Sequence, residues 1–125
     1  KHWDIWFAKR ESTDDPFIDP ENFGSVINSE ADERFPFLSP DSLELWFSSN
    51  RPGGLGERDL WVSRRKSPQH PFETPQHVAG GINSEFQEDS PSMTSDGHML
   101  FFESSRPLPR DHRAFERIWF STRKP

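Results

Sequence analysis

The strongest constraint on this chain is that it repeats itself. Ile27-Asn28-Ser29-Glu30 returns as Ile82-Asn83-Ser84-Glu85, 55 residues on. At the same offset Pro16-Phe17 becomes Pro71-Phe72, Asp41 becomes Asp96, Leu45 becomes Leu100 and Phe47 becomes Phe102. Ser49 likewise becomes Ser104, and Arg51-Pro52 becomes Arg106-Pro107. The segment DIWFAKR (Asp4–Arg10) reappears as DLWVSRR (Asp59–Arg65) and, 58 residues further, as RIWFSTR (Arg117–Arg123). The second copy thus holds three extra residues between Pro107 and Arg117. A duplicated chain builds its fold from copies of one small unit that stack on each other. The units run over approximately 4–58 and 59–116, with a partial third at 117–125.

Each unit alternates with the period of two that places successive side chains on opposite faces of a strand. In LELWFSSN (Leu43–Asn50), Leu45, Phe47 and Ser49 face one way and Trp46 and Ser48 the other. MLFFESS (Met99–Ser105) sets Leu100 and Phe102 against Phe101 and Glu103. In the thrice-repeated motif Ile5/Phe7, Leu60/Val62 and Ile118/Phe120 share one face, with Trp6, Trp61 and Trp119 on the other. RFPFLS (Arg34–Ser39) and DSPSMT (Asp89–Thr94) read as preceding strands, joined to the next by the turn formers Pro40-Asp41-Ser42 and Ser95-Asp96-Gly97. A short fourth strand is expected within Asn22–Val26 and again within His77–Gly81. No helical period is sustained anywhere, so the fold class is all-β.

Four short strands per unit of about 50 residues, joined by hairpins, is the pattern of a β-propeller blade. Counting strands A to D within a unit, the chain reads C-D, A-B-C-D, A-B-C: about two four-stranded antiparallel blades and an extra strand, spanning 1–125 as one propeller segment. Blades bury their faces only against neighbours, so the partners implied are other blades, from a longer chain or by self-assembly. The 30% hydrophobic content and net charge of −6 lean towards disorder, but twelve Phe and five Trp supply enough large buried area to oppose it. With no cysteine there is no disulfide framework, and no apolar run reaches the ~18 residues of a membrane span. The acidic balance disfavours nucleic acid as a partner. A start at Lys1 without a leader-like segment suggests a trimmed or excised piece.

Several of these segments carry a family resemblance. Ser39-Pro40-Asp41, Trp46-Phe47-Ser48-Ser49, Asn50-Arg51-Pro52-Gly53-Gly54 and Asp59-Leu60-Trp61 resemble the blades of the WD-repeat-like, TolB-type bacterial β-propeller family. Thr94-Ser95-Asp96-Gly97 and Phe102-Glu103-Ser104-Ser105-Arg106-Pro107 match more loosely. The resemblance implies an exported protein, periplasmic or extracellular, acting in protein–protein or cell-envelope recognition through the loops of one rim.

The chemical candidates are few. Gly53-Gly54-Leu55-Gly56 follows a strand but leads into another strand rather than a helix, which excludes a phosphate-binding loop. Glycines there are expected to supply positive φ in a hairpin. The repeated charges Arg51/Arg106 and Glu30/Glu85 suggest structural pairing, and Asp4 and Asp59 are expected to bind nearby backbone N–H groups. The second connection replaces the glycines with the basic stretch Leu108–Arg117. The rim residues proposed for ligand contact are Arg51, Arg58, Arg106, Arg110, His112, Arg113, Glu85, Glu88 and Asp89. His70, Glu73 and His77 match no compact metal motif, and Asp14–Glu21 lacks the pattern of a calcium loop. The sequence carries no nucleophile elbow or metal-hydrolase motif and implies no metal and no cofactor. Its leading function is a non-catalytic binding scaffold. The alternative is a lectin or carbohydrate-active propeller enzyme, with Trp3 and Trp46, which lack a full set of repeat equivalents, as sugar-stacking candidates.

Overall fold

A computed structural model describes residues 2–107 and 117–122, with the backbone alone at Arg117. Among the described residues the chain is all-β, without helix, and forms three small antiparallel sheets. The first pairs β1 (Trp6–Lys9) with β2 (Ile18–Asn22). The second runs in sequence order through β3 (Glu33–Leu38), β4 (Glu44–Ser49), β5 (Asp59–Arg64) and β6 (Gln76–His77). The third holds β7 (Glu88–Met93), β8 (Met99–Ser104) and β9 (Arg117–Thr122). The distribution of two, four and three strands follows the order read from the repeats.

Local chemistry explains where the strands begin and end. Between β3 and β4, Asp41 Oδ1 accepts from Ser39 Oγ at 2.6 Å and from Leu43 N at 3.0 Å, while Glu44 N donates to Ser39 Oγ at 2.9 Å. Thr94 and Asp96 rebuild this turn between β7 and β8, with His98 N donating to Asp96 Oδ1 at 3.0 Å. The left-handed position is Ser42 (φ 62°) in one copy and Gly97 (φ 70°) in the other. Phe35 (φ 52°) and Ser90 (φ 53°), also equivalent, sit where β3 and β7 lose register with their partners, so both first strands carry a bulge at the same place. Pro36 and Pro91 follow in these outermost strands, where no ladder hydrogen bond is lost.

The fourth strand of each unit lies earlier than the alternation suggests. β2 ends at Asn22 and β6 at His77, because the chain turns immediately afterwards. Asn22 Oδ1 accepts from Gly24 N at 2.7 Å, and the Gly24 carbonyl accepts from Asn28 N at 2.9 Å. Gly80 and Gly81, both at positive φ, take over that turn in the second unit.

Two aromatic cores lie between the sheets, and they are copies of each other. Ile5, Ile27, Leu45, Phe47 and Trp61 are buried between the first and second sheets, with Phe23 and Phe72 against them. Leu60, Leu100 and Phe102 are buried between the second and third, together with Trp46, Val62 and Val78, and Ile82 and Trp119 pack on them. Position by position the members of the first core recur 55 or 58 residues later in the second. Full burial of a side chain such as Phe47 contributes roughly 1.5–3 kcal/mol, so these clusters are the main driving force for stacking the sheets.

Candidate functional site

The residues that dominate the polar interior are those of the repeated Ile-Asn-Ser-Glu motif and the Ser-x-Arg that ends β4 and β8. Asn28 clamps the backbone of Ile5, its Oδ1 accepting from Ile5 N at 2.8 Å and its amide donating to Ile5 O at 3.1 Å. Asn83 clamps Leu60 in the same way, at 2.7 and 2.9 Å. Asn28 also bonds Asn22 at the end of β2, and Asn83 the Val78 carbonyl just past β6, so each clamp ties two neighbouring segments of its unit together.

Beside each clamp lies a buried carboxylate. Glu33 is fully enclosed and accepts from Ser29 N at 2.9 Å, Ser29 Oγ at 2.7 Å, Ser49 Oγ at 2.9 Å and Arg51 Nη2 at 2.9 Å. Arg51 also donates to the Ile27 carbonyl at 2.6 Å and lies over the rings of Phe47 and Trp61. Burial pushes the Arg51 guanidinium below its ordinary value, and Glu33 opposes that shift. Glu88 repeats the arrangement with Ser84, Ser104 and Arg106, the last lying over Phe102 and Trp119. The arginine partners are therefore Glu33 and Glu88, not the Glu30 and Glu85 that repeat in the motif. Glu30 and Glu85 are exposed in the turn, three residues before the strand that faces Ser49 or Ser104.

Arg58 and Asp89 are also paired internally. Arg58 grips Asp89 with two nitrogens, at 3.0 and 2.9 Å, and so ties the start of β5 to β7 across the sheet boundary. In the first unit Trp3 and Arg34 occupy the same two positions, and there the guanidinium stacks 5.0 Å above the indole. A bidentate ion pair in one copy is a cation–π contact in the other. Of the proposed contact residues, Arg51, Arg58, Arg106, Glu88 and Asp89 thus sit in partly or fully buried pairs, while Glu85 is exposed. Arg110, His112 and Arg113 lie outside the described residues.

The glycine connection owes its composition to more than turn conformation. Only Gly53 takes positive φ, at 97°. A Cβ on Gly54 would collide with the Asp59 carboxylate, and one on Gly56 with the backbone carbonyl of Phe86. Asp59, the first residue of β5, accepts from the backbone N–H groups of Leu55 and Gly56, as expected of it. It also meets His77 Nε2 at 2.9 Å. Asn83 Nδ2 lies 3.0 Å from the same His77 nitrogen, but donates its two protons to the Leu60 and Val78 carbonyls, which leaves Nε2–H of His77 to Asp59. Asp4 accepts from the Asn22 side chain at 2.8 Å, with Asn22 standing where His77 stands. His70 bonds Ser67 instead, away from His77.

Trp46 proves to be a core residue, 5% exposed, with its indole N–H donated to Glu44 at 3.0 Å. No sugar can stack on it. Exposed aromatic surface is found at Trp3 and Trp6, 62% and 58% exposed, along a groove of about 370 Å³ that runs past Asp4 and Ile5 to Glu33–Pro36. At the other end of the stack Ile118 and Phe120 are exposed on β9. No helix among the described residues is long and apolar enough to cross a membrane. Comparison with family models, curated proteins and solved structures returned no match.

Proposed function

We propose that the chain is a segment of a WD-repeat-like, TolB-type β-propeller that serves as a non-catalytic binding scaffold, in a periplasmic or extracellular setting, for protein or cell-envelope partners. The observation that carries the stacking part of this reading is a contrast between equivalents. Leu60 and Val62 are 0% and 3% exposed beneath the next sheet, whereas Ile118 and Phe120, the same positions one unit on, are 79% and 65% exposed. A sheet with this pattern has an apolar face made for another sheet. The scaffold part rests on the use of the repeated charges: Glu33, Glu88, Arg51 and Arg106 hold strands together, which suits a rigid frame presenting variable loops.

Light scattering during size exclusion tests the reading. The chain is expected to self-associate with rising concentration, and Ile118→Lys/Phe120→Lys is expected to abolish this while keeping the β-sheet spectrum. A folded monomer at every concentration would overturn it.

A further inference from the structure

Two junctions hold the three sheets in order, and equivalent positions meet across each. Trp3, ahead of β1, lies under Arg34 of β3 at the first junction, and Arg58, ahead of β5, grips Asp89 of β7 at the second. One pair is an indole with a cation, the other a cation with a carboxylate, and neither half can be exchanged. Arg58 set on Arg34 would bring two guanidinium groups to Asp32, whose carboxylate already takes Arg34 at 3.0 Å and the Trp3 backbone N–H at 3.1 Å. Trp3 set on Asp89 would strip a carboxylate only 5% exposed of its guanidinium. Shape follows the same division. Phe72, between β5 and β6, reaches back to Phe23 of the first unit, with ring centroids 5.9 Å apart, and Phe23 packs on Phe7 at 4.6 Å. At the second junction the equivalents of Phe7 and Phe23 are Val62 and Val78, buried beside Trp46. A second sheet laid on another second sheet would set Phe72 against Val78 and forfeit the ring contact.

From these contrasts we infer that the pairs Trp3–Arg34 and Arg58–Asp89 are specificity-determining: they select which sheet stacks on which, within one chain and between copies of it. The inference rests on the repeat-stacking reading above and assigns the residues that make the stacking selective. The apolar faces recur closely, Leu45 and Phe47 returning as Leu100 and Phe102, so selection falls to the positions where the copies differ. Misassembly of one unit on the wrong neighbour is a characteristic failure of repeat proteins. Opposed charges and a buried carboxylate without its cation exclude it, because each wrong pairing then carries a penalty that the right one lacks.

Each mismatch can be built in place in the intact chain and followed by circular dichroism in urea. Arg58→Trp sets an indole on Asp89 and is expected to lower the folded-to-unfolded ratio at least about a hundredfold, as for a buried charge that loses its partner. Arg58→Trp with Asp89→Arg copies the first junction into the second and is expected to recover at least about tenfold of that loss. The more exposed first junction gives the same test in milder variants: Trp3→Arg is expected to cost about three- to tenfold, and Trp3→Arg with Arg34→Asp to restore it. Selectivity itself is read in the Ile118→Lys/Phe120→Lys background, where the far face cannot contribute. Refolded at high concentration, the Arg58→Trp/Asp89→Arg chain is expected to yield a dimer by exchange of sheets that persists on dilution, since its second sheet then suits Arg34 of another copy. The chain with the native pairs is expected to stay monomeric. Additive effects in both double variants, or equal dimer content in the two chains, would overturn the inference. That result beside an intact self-association at Ile118 and Phe120 would remove this inference alone and leave the stacking reading standing.

Discussion

Replacing Glu33 with Gln tests whether the repeated Glu–Ser–Arg cluster holds the sheets together. The carboxylate is fully enclosed and takes four hydrogen bonds, one from an arginine only 11% exposed. The amide keeps the shape but turns an NH2 towards donors and leaves Arg51 buried without its counter-ion. Removing one member of a buried pair costs about 3–5 kcal/mol, which is a large share of the roughly 5–15 kcal/mol that holds an ordinary domain together. Urea unfolding followed by tryptophan emission measures the loss. Ser49→Ala provides a milder variant, expected to lose about 1–3 kcal/mol because Ser49 Oγ serves both Glu33 and the Arg51 backbone. A double-mutant cycle of Glu33→Gln with Arg51→Met should show strong coupling, since the two charges cancel each other's burial. A loss below about 1 kcal/mol for Glu33→Gln, or full additivity in the cycle, would refute the reasoning.

Three further outcomes are expected. Gly56→Ala should destabilise by about 1–3 kcal/mol, since its methyl group meets the Phe86 carbonyl; unchanged urea unfolding would contradict that contact. His77→Asn should change stability by less than about 1 kcal/mol, because Asn22 fills the same bridge between Asp4 and Asn28 in the first unit; collapse of the fold would show that the imidazole has a separate role. Asp32, held below the usual carboxylate range chiefly by the Trp3 backbone N–H and then by Arg34, should titrate below the ordinary aspartate value by NMR. Its contribution to stability is complete above that ordinary value and is lost as pH falls through the lower, folded one, so a midpoint at or above the ordinary value would refute the assigned hydrogen bond.

The repeats and alternation were legible because a strand's two faces and a turn's side-chain acceptors are set by neighbours close in sequence. The offset between Ile27 and Ile82, the opposed faces of Leu45/Phe47 and Trp46, and the Ser-Pro-Asp turn sufficed to predict an all-β chain of stacked units. Pairing across the stack depends on contacts that no local pattern encodes. Glu30 repeats as faithfully as Glu33, yet only Glu33 lies on the strand facing Ser49 and Arg51, so the tertiary register chose the buried charge. Gly56 looked like a turn glycine, but its constraint comes from a carbonyl 30 residues away. Trp46 and Trp6 are both alternating strand tryptophans, and one is core while the other is surface because a sheet packs over the first alone. Local sequence determined which faces of each strand are apolar; only the packing of one sheet on the next decided which of those faces are closed and which stand open.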